Sequence, residues 1–199
     1  MSVDYPTFDC NNPKQLVEVE TYMADQLRQR QLYPICKLSG LIVEELIDQA
    51  NQIADDLFRY DGGFSVAPYD AHRPNNQALA DTMIRLTACN IQDADQIHSP
   101  RVRFLRTHIS GVHIDDNFSN IVNLTLTGER QTMHVDPDDG QKITHSLTKG
   151  DLSIIRSFPG NNLRYRSITH QVTSGQGTIL QAVQDVGFNR SSIRENMPA

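Results

Sequence analysis

The chain has 199 residues, of which 38% are hydrophobic and 21% charged, and this suffices for one globular domain with an apolar core. The net charge of −6 disfavours nucleic acid as a partner, because proteins that bind phosphate backbones usually carry an excess of Lys and Arg. The three cysteines are odd in number and widely spaced, which favours a reduced, cytoplasmic protein over a disulfide framework or a zinc ribbon. No stretch reaches the roughly 18 apolar residues of a membrane span, and residues 1–8 lack the features of a signal peptide, so we expect no membrane association.

Two amphipathic helices are predicted in the first 60 residues. The first covers Asn12–Gln31, where Asn-Asn-Pro supplies a cap and a proline in the first turn. The second covers Ser39–Leu57 and has apolar residues at 42, 43, 46, 47, 50, 53, 54 and 57, a spacing typical of a helix with one buried face. We expect both helices to pack on the outer face of a sheet, with Leu46 and Ile47 buried there.

Residues 61–75 are rich in Gly, Pro, Asp and Asn, and this composition predicts a loop. A long loop in a compact domain is often functional, and one that precedes a barrel could close over its mouth as a lid. Tyr69, His72 or Arg73 would then reach a substrate, and the alternative is an exposed loop without such a role. A third helix is predicted over Gln77–Cys89.

From residue 101 onward the sequence consists of short strand-like runs separated by polar or Gly/Pro-rich breaks, a pattern typical of all-β barrels and sandwiches. Eight strands are predicted: Arg101–Ile109, Gly111–Asn117, Asn120–Thr127, Glu129–Val135, Lys142–Leu147, Asp151–Arg156, Leu163–Val172 and Gly177–Val186. Eight short antiparallel strands fit a jelly roll, in which the second and seventh strands lie side by side.

We therefore predict one α+β, mainly β domain over residues 1–199. It would consist of a helical lead-in with a lid loop (1–100), an eight-stranded jelly-roll or double-stranded β-helix core (101–186) and a C-terminal tail (187–199).

A candidate metal site lies on the second and seventh predicted strands. His113 and Asp115 would point to the same side of a strand, because alternate residues share a face. His170 on the neighbouring strand would complete two imidazoles and one carboxylate, the facial set that binds non-haem Fe(II) and leaves the opposite positions open.

A second His-x-Asp pair, His134 and Asp136, competes with this assignment. A jelly roll needs four strands between its second and seventh, and four predicted strands lie between Asp115 and His170 but only two between Asp136 and His170. Topology therefore favours His113 and Asp115, with His134 lining the pocket or facing solvent.

Four segments of the β-rich region resemble the double-stranded β-helix core of the Fe(II)/2-oxoglutarate-dependent oxygenases. They are Val112-His-Ile-Asp-Asp116, Asn120-Ile-Val-Asn-Leu-Thr-Leu-Thr-Gly-Glu-Arg130, Leu147-Thr-Lys-Gly-Asp-Leu-Ser-Ile-Ile-Arg156 and Thr169-His-Gln-Val-Thr-Ser-Gly175. The resemblance implies an oxidoreductase of the dioxygenase class that uses Fe(II) and 2-oxoglutarate to hydroxylate or otherwise oxidise a small molecule. On this resemblance, His113, Asp115 and His170 would bind the iron.

The sequence departs from this superfamily on the last strand. Members usually carry an Arg or Lys about ten residues after the distal histidine, which holds the far carboxylate of 2-oxoglutarate. Gly175–Val183 contains no cation. We predict Arg130, on strand four, as the first candidate for this role and Arg166 as the second, and Arg156 and Arg164 stay open.

Two other functions remain consistent with the sequence. One is a cupin-like metalloenzyme that does not use 2-oxoglutarate, in agreement with the missing cation. The other is a jelly-roll binding module whose arginines hold an anionic ligand.

Overall fold

A computed structural model of the chain describes residues 5–53, 59–61, 64–69, 74–91, 96–97, 100–115, 118–159 and 165–187. Within these ranges the chain forms three helices, α1 (Pro13–Arg28), α2 (Leu41–Gln52) and α3 (Pro74–Ala88). The strands are β1 (Thr7–Asp9), β2 (Ile35–Ser39), β3 (Arg59–Asp61), β4 (Phe64–Pro68), β5 (Gln96–Ile97), β6 (Arg101–Thr107), β7 (Ile121–Thr125), β8 (Glu129–Val135), β9 (Lys142–Leu147), β10 (Asp151–Ile155), β11 (Ser157–Pro159), β12 (Tyr165–Ser167), β13 (His170–Val183) and β14 (Val186–Gly187).

All three predicted helices are present. In α1 the side chain of Asn12 accepts a hydrogen bond from Lys14 N at 3.0 Å, so the predicted cap is present. The second helix begins after Gly40, whose φ of 107° lies in the region that favours glycine. It ends at Gln52, earlier than predicted, and residues 54–57 of the predicted helix lie outside the described residues.

The strands form two walls that share β13. The larger wall has the order β1-β2-β10-β7-β13-β6-β4-β3, and the smaller wall adds β8 and β9 to the other half of β13. The helices lie against β2, β7 and β13 of the larger wall. This mainly β arrangement, with helices before a curled two-walled sheet, is the predicted jelly-roll class.

Strand β13 differs from the prediction of two separate strands. The Thr173–Gly177 segment was predicted as a break, yet it lies inside one continuous strand that changes partners there. Residues before the segment pair with β8, and residues after it pair with β6 and β7. The register shifts between Val172 and Ser174, and Gly175 has a φ of 79°, so the strand bends without reversing.

The seventh predicted strand, Leu163–Val172, was also wrong in extent. Tyr165–Ser167 is a separate short strand that pairs with β11, and residues 168–169 leave the ladder before β13 begins. Ser167 and Ile168 are both buried, so the alternation of faces assumed for this stretch breaks between them.

The second predicted strand, Gly111–Asn117, is absent as a regular strand over its described part. His113 instead forms an isolated antiparallel bridge with His170. His113 and His170 are therefore neighbours in space as predicted, although the segment around His113 is irregular.

The loop predicted over residues 61–75 was wrong at residues 64–68, and its role as a lid stays a prediction. Residues 64–68 form β4, which pairs with β6. The ring of Tyr69 packs against Phe104 at 5.7 Å between centroids, and its hydroxyl donates to Asn76 O at 3.4 Å, so it belongs to the core. His72 and Arg73 lie outside the described residues.

Two buried clusters hold the fold together. One lies between the helices and the larger wall and includes Leu46, Leu124 and Leu152, and the other includes Ile155 and Val183. Every residue of β7 and β10 is buried, since helices cover one face of the wall and the space between the walls lies on the other. None of the described helices is long and apolar enough to cross a membrane.

Replacing Leu46 by Ala should lower the free energy of unfolding by about 2–5 kcal/mol, because Leu46 is 0% exposed and its truncation leaves a cavity. Leu41→Ala in the same helix is the control, since Leu41 is 63% exposed. Urea denaturation measures both. A similar small change in the two variants would show that this helix face does not pack on the sheet.

Replacing Gly175 by Ala should destabilise the bend of β13 more than Gly140→Ala destabilises its turn. Both glycines have positive φ, 79° and 74°, which costs an L-residue about 1–2 kcal/mol. A Cβ at Gly175 would also lie 2.1 Å from Glu129 O, whereas nothing lies within 4 Å at Gly140. Equal losses of unfolding free energy would contradict this bend geometry.

Candidate metal centre

His113, Asp115 and His170 lie together at one end of the smaller wall. One ligand atom from each lies within 4.8 Å of the others, and no second group of this kind occurs among the described residues. His170 Nε2 is 3.4 Å from Asp115 Oδ2. His170 is the first residue of β13 and is buried, while His113 and Asp115 are half-buried on the segment between β6 and β7.

Backbone hydrogen bonds hold the two parts of the site against each other. His113 N donates to His170 O, and His170 N donates to His113 O, both at 3.0 Å. Two residues further along, Ser167 N donates to Asp115 O at 3.0 Å, and Asp115 N donates to Ser167 Oγ at 2.9 Å. His113 and Asp115 are therefore held as alternate residues of a strand would be, although no regular strand forms here.

Both histidines are oriented by the carbonyl two residues before them. His113 Nδ1 lies 2.8 Å from Gly111 O, and His170 Nδ1 lies 2.7 Å from Ile168 O. A carbonyl oxygen only accepts, so Nδ1 carries the proton and Nε2 keeps its lone pair. Burial also lowers the pKa of His170, which favours the neutral imidazole that a metal requires.

These three donors fit a divalent iron. Two imidazole nitrogens and one carboxylate oxygen on the same side of a site are the ligands of non-haem Fe(II) centres, which keep the opposite coordination positions open.

The competing pair, His134 and Asp136, does not form a three-ligand group with His170 among the described residues. Asp136 Oδ1 accepts a hydrogen bond from Asp138 N at 2.8 Å within a turn. His134 pairs in register with His170 and lines the same cavity, with 6.1 Å between the two ring centroids. His134 is 2% exposed, and burial, followed by the nearby His170, lowers its pKa to about 2, so this ring is neutral.

A cavity of about 70 Å³ opens from the candidate ligands into the space between the walls. It is lined by the three candidate ligands and by Tyr33, Arg103, Leu105, Thr107, Phe118, Ile121, Asn123, Arg130, Thr132, His134, Ile155, Val172, Ile179, Gln181 and Val183. Its volume is several times the roughly 10–15 Å³ that one water molecule needs by the same measure.

Arg130 lies in this cavity on β8. Arg130, Thr132 and His134 alternate with exposed or half-buried residues, so they share the inward face as predicted. Arg130 is 4% exposed, and neither its Nε nor its Nη2 has a hydrogen-bond partner in the described part of the chain. Burial lowers the pKa of this guanidinium. Tyr33 and Asp151 partly oppose this lowering of the pKa, but Nε and Nη2 stay without hydrogen bonds to the described residues, so this end of the cavity suits an anion.

Arg166, the second predicted candidate, is placed differently. It pairs with Phe158 in the hairpin of β11 and β12, is half-buried, and is not among the described residues that line the cavity. The prediction assumed one continuous strand from residue 163 to residue 172, and the break after Ser167 removes the shared face on which it depended.

A polar network on the larger wall was not predicted from the sequence. Gln181 lies in the second half of β13, and its Oε1 accepts hydrogen bonds from Arg103 Nε and Nη2 at 3.0 and 2.9 Å. Gln181 Nε2 donates to Asn123 Oδ1 at 3.1 Å. All three line the cavity and are neighbours in register, which only the strand pairing reveals.

No family model matches the sequence, and no curated protein matches it. Among solved structures, the fold is similar to a prolyl-4-hydroxylase from Pseudomonas putida, with a TM-score of 0.60 and 14% identity over 85% of this chain and 100% of that chain. Weaker similarities are to a dioxygenase for auxin oxidation from rice (TM-score 0.43, 10% identity, 94% of this chain and 84% of that chain) and to a ribosomal oxygenase from Escherichia coli (TM-score 0.37, 14% identity, 69% and 36%).

The first of these similarities covers nearly the whole of both chains. It confirms, for the fold, the resemblance to the Fe(II)/2-oxoglutarate-dependent oxygenases and the mainly β jelly-roll class. At 14% identity it extends to the fold alone.

Replacing His113, Asp115 or His170 by Ala should each abolish stoichiometric Fe(II) binding, because a site with three protein ligands has none to spare. His134→Ala, which removes a neighbouring buried imidazole, is the matched control and should leave Fe(II) binding largely intact. Anaerobic calorimetric titration measures the stoichiometry. Retained binding in His113→Ala together with loss in His134→Ala would mean that the wrong pair was chosen.

Proposed function

We propose that this protein is a non-haem Fe(II)-dependent dioxygenase that uses 2-oxoglutarate and hydroxylates or otherwise oxidises a small molecule. One observation carries the proposal: a candidate facial triad lines the same cavity as a buried arginine whose Nε and Nη2 have no hydrogen-bond partner among the described residues. A metal site and an anion site in one small cavity suit a ligand that is both a chelator and an anion.

His113, Asp115 and His170 would hold the iron. When bound, Fe(II) supplies the oxygen-activating redox chemistry of such an enzyme at its open coordination positions. The protein keeps both histidines in the tautomer that presents Nε2, through the carbonyls of Gly111 and Ile168.

Arg130 would hold the far carboxylate of 2-oxoglutarate. Arg130 lies four residues before His134, which pairs in register with the candidate ligand His170. Four residues span about 13 Å along a strand at roughly 3.3 Å per residue, and the long side chain of Arg130 can cover part of this distance to the metal site. Thr132 lies between them on the same face, and its hydroxyl has no partner in the described part of the chain. A charge-assisted pair between Arg130 and a carboxylate would satisfy both buried groups. Arg166 remains the second candidate for this role.

A metalloenzyme that does not use 2-oxoglutarate is the second candidate function. Gln181 favours it, because this neutral side chain stands where the superfamily usually has a cation and is already bonded to Arg103. Release of succinate from 2-oxoglutarate by the Fe(II)-loaded protein would support the first function, and its absence would leave the second.

Arg130→Gln should weaken 2-oxoglutarate binding at least tenfold, since a hydrogen bond between charged groups contributes about 1.5–3 kcal/mol. Fe(II) affinity should stay nearly unchanged, and Arg166→Gln should have the smaller effect on 2-oxoglutarate. Titration of 2-oxoglutarate into the Mn(II)-loaded protein measures this without turnover. If neither variant alters 2-oxoglutarate binding, or if the unmodified protein does not bind it, the assignment of this cosubstrate is wrong.

A further inference from the structure

A second cavity, which we call the outer groove, adjoins the metal cavity. It has a volume of about 270 Å³, and Tyr33 and His134 line both cavities. Arg30, Leu32, Asp136 and Ile143 are among its other lining residues. The groove lies between the segment that precedes β2 and the inward face of β8 and β9, where His134 pairs with Ile143 in register.

The linings of the two cavities assign them different occupants. The metal cavity is lined by the three candidate ligands and by Arg130, which suit an ion and a small dicarboxylate. The outer groove beside it is lined by neither the candidate ligands nor Arg130. An organic substrate therefore needs the groove for the part of the molecule that does not react.

Tyr33 and His134 form the boundary between the two cavities. Their rings stack at 3.7 Å between centroids, and Tyr33 also packs against His145 at 4.9 Å. The Tyr33 hydroxyl donates to Ser153 Oγ at 3.1 Å on the larger wall. A molecule in the groove thus contacts the same two rings that line the metal cavity.

His134 has hydrogen-bonding capacity that the described residues do not use. Both ring nitrogens lack a partner there, although the side chain is 2% exposed. A neutral imidazole offers one donor and one acceptor, and leaving both unused in a buried position is unfavourable. A polar molecule bound at this boundary would supply a partner.

The groove carries charges of both signs. Arg30 contributes a guanidinium to the groove. The pKa of Arg156 is lowered, first by burial and then by the positive charge of Arg30, so these two guanidinium groups repel each other. An anion beside Arg30 would relieve this repulsion. Asp136 contributes a carboxylate, and its Oδ1 is fixed by Asp138 N at 2.8 Å.

We propose that the outer groove binds the organic substrate, and that this substrate is a small zwitterion of the amino-acid type. Its carboxylate pairs with Arg30, its ammonium group pairs with Asp136, and its side chain lies against Leu32, Tyr33 and Ile143. That the bound molecule is a substrate rests on the oxygenase function proposed above. The binding itself depends only on the groove.

Saturation-transfer NMR on the full chain, with diamagnetic Zn(II) and 2-oxoglutarate present, tests the proposal. The probes are the standard L-amino acids, each compared with its decarboxylated amine and its deaminated acid. At least one amino acid should bind, and both of its analogues should bind about two- to fivefold more weakly, because each lacks one charged contact to a group that is not buried.

Substitutions locate the site. Arg30→Gln and Asp136→Asn should each weaken amino-acid binding about two- to fivefold, and the amide introduced by Asp136→Asn keeps an oxygen that accepts from Asp138 N. Arg28→Gln and Asp138→Asn, exposed neighbours outside the groove, are the matched controls and should leave binding unchanged. Binding of no amino acid, or binding that survives both groove substitutions, overturns the proposal.

His113→Ala separates this proposal from the oxygenase function. It removes a candidate metal ligand but no described part of the groove, so amino-acid binding should persist in this variant. Amino-acid binding in a protein that binds neither Fe(II) nor 2-oxoglutarate would refute the oxygenase function and leave the groove assignment standing. Binding of Fe(II) and 2-oxoglutarate without any amino acid would refute only the groove assignment.

Discussion

The pair of backbone hydrogen bonds between His113 and His170 is the contact on which the candidate site depends. It joins an irregular segment, exposed on its outer side at Val112 and Ile114, to the first residue of the longest described strand. The bonds between Asp115 and Ser167 extend this contact by two residues and set the position of the carboxylate. Without these bonds the ligands from the two segments would have no fixed separation, and coordination of one ion by all three would carry a larger entropic cost.

The rest of the fold supports β13, which carries one candidate ligand and belongs to both walls. The helices cover the outer face of the larger wall, and this leaves its inner face for the cavity. The bend at Gly175 brings the inward face of β8 opposite β6 and β7, so that Arg130 and the network of Arg103, Gln181 and Asn123 line one space. A buried guanidinium whose Nε and Nη2 make no hydrogen bond to the described residues is costly, so the cavity is better explained as a binding site than as a packing defect.

Periodicity and turn chemistry were sufficient to predict part of this fold. The bounds of β8 and β9 match the prediction to the residue, because Thr127-Gly128 and Pro137–Gly140 mark clear turns around alternating strands. The spacing of His113, Asp115 and His170 and the count of strands between them were enough to choose three residues that the structure brings together. Their role as iron ligands stays a prediction.

Other features could not be predicted, because they depend on partners distant in sequence. Glycine marks a break and a bend equally well, so Thr173–Gly177 could not be identified as the middle of one strand. Residues 64–68 carry loop-forming neighbours, yet pairing with β6 makes them a strand. The contact of Arg103 with Gln181, and the shared position of Tyr33 and His134 between two cavities, require the register and the packing of the two walls.

An anaerobic calorimetric titration of 2-oxoglutarate with and without Fe(II) would show whether one cavity binds both. We expect one molecule of 2-oxoglutarate per chain, bound much more tightly when Fe(II) is present, because the metal and Arg130 would hold opposite ends of the same molecule. Equal binding with and without Fe(II), or no binding in either case, would contradict this expectation.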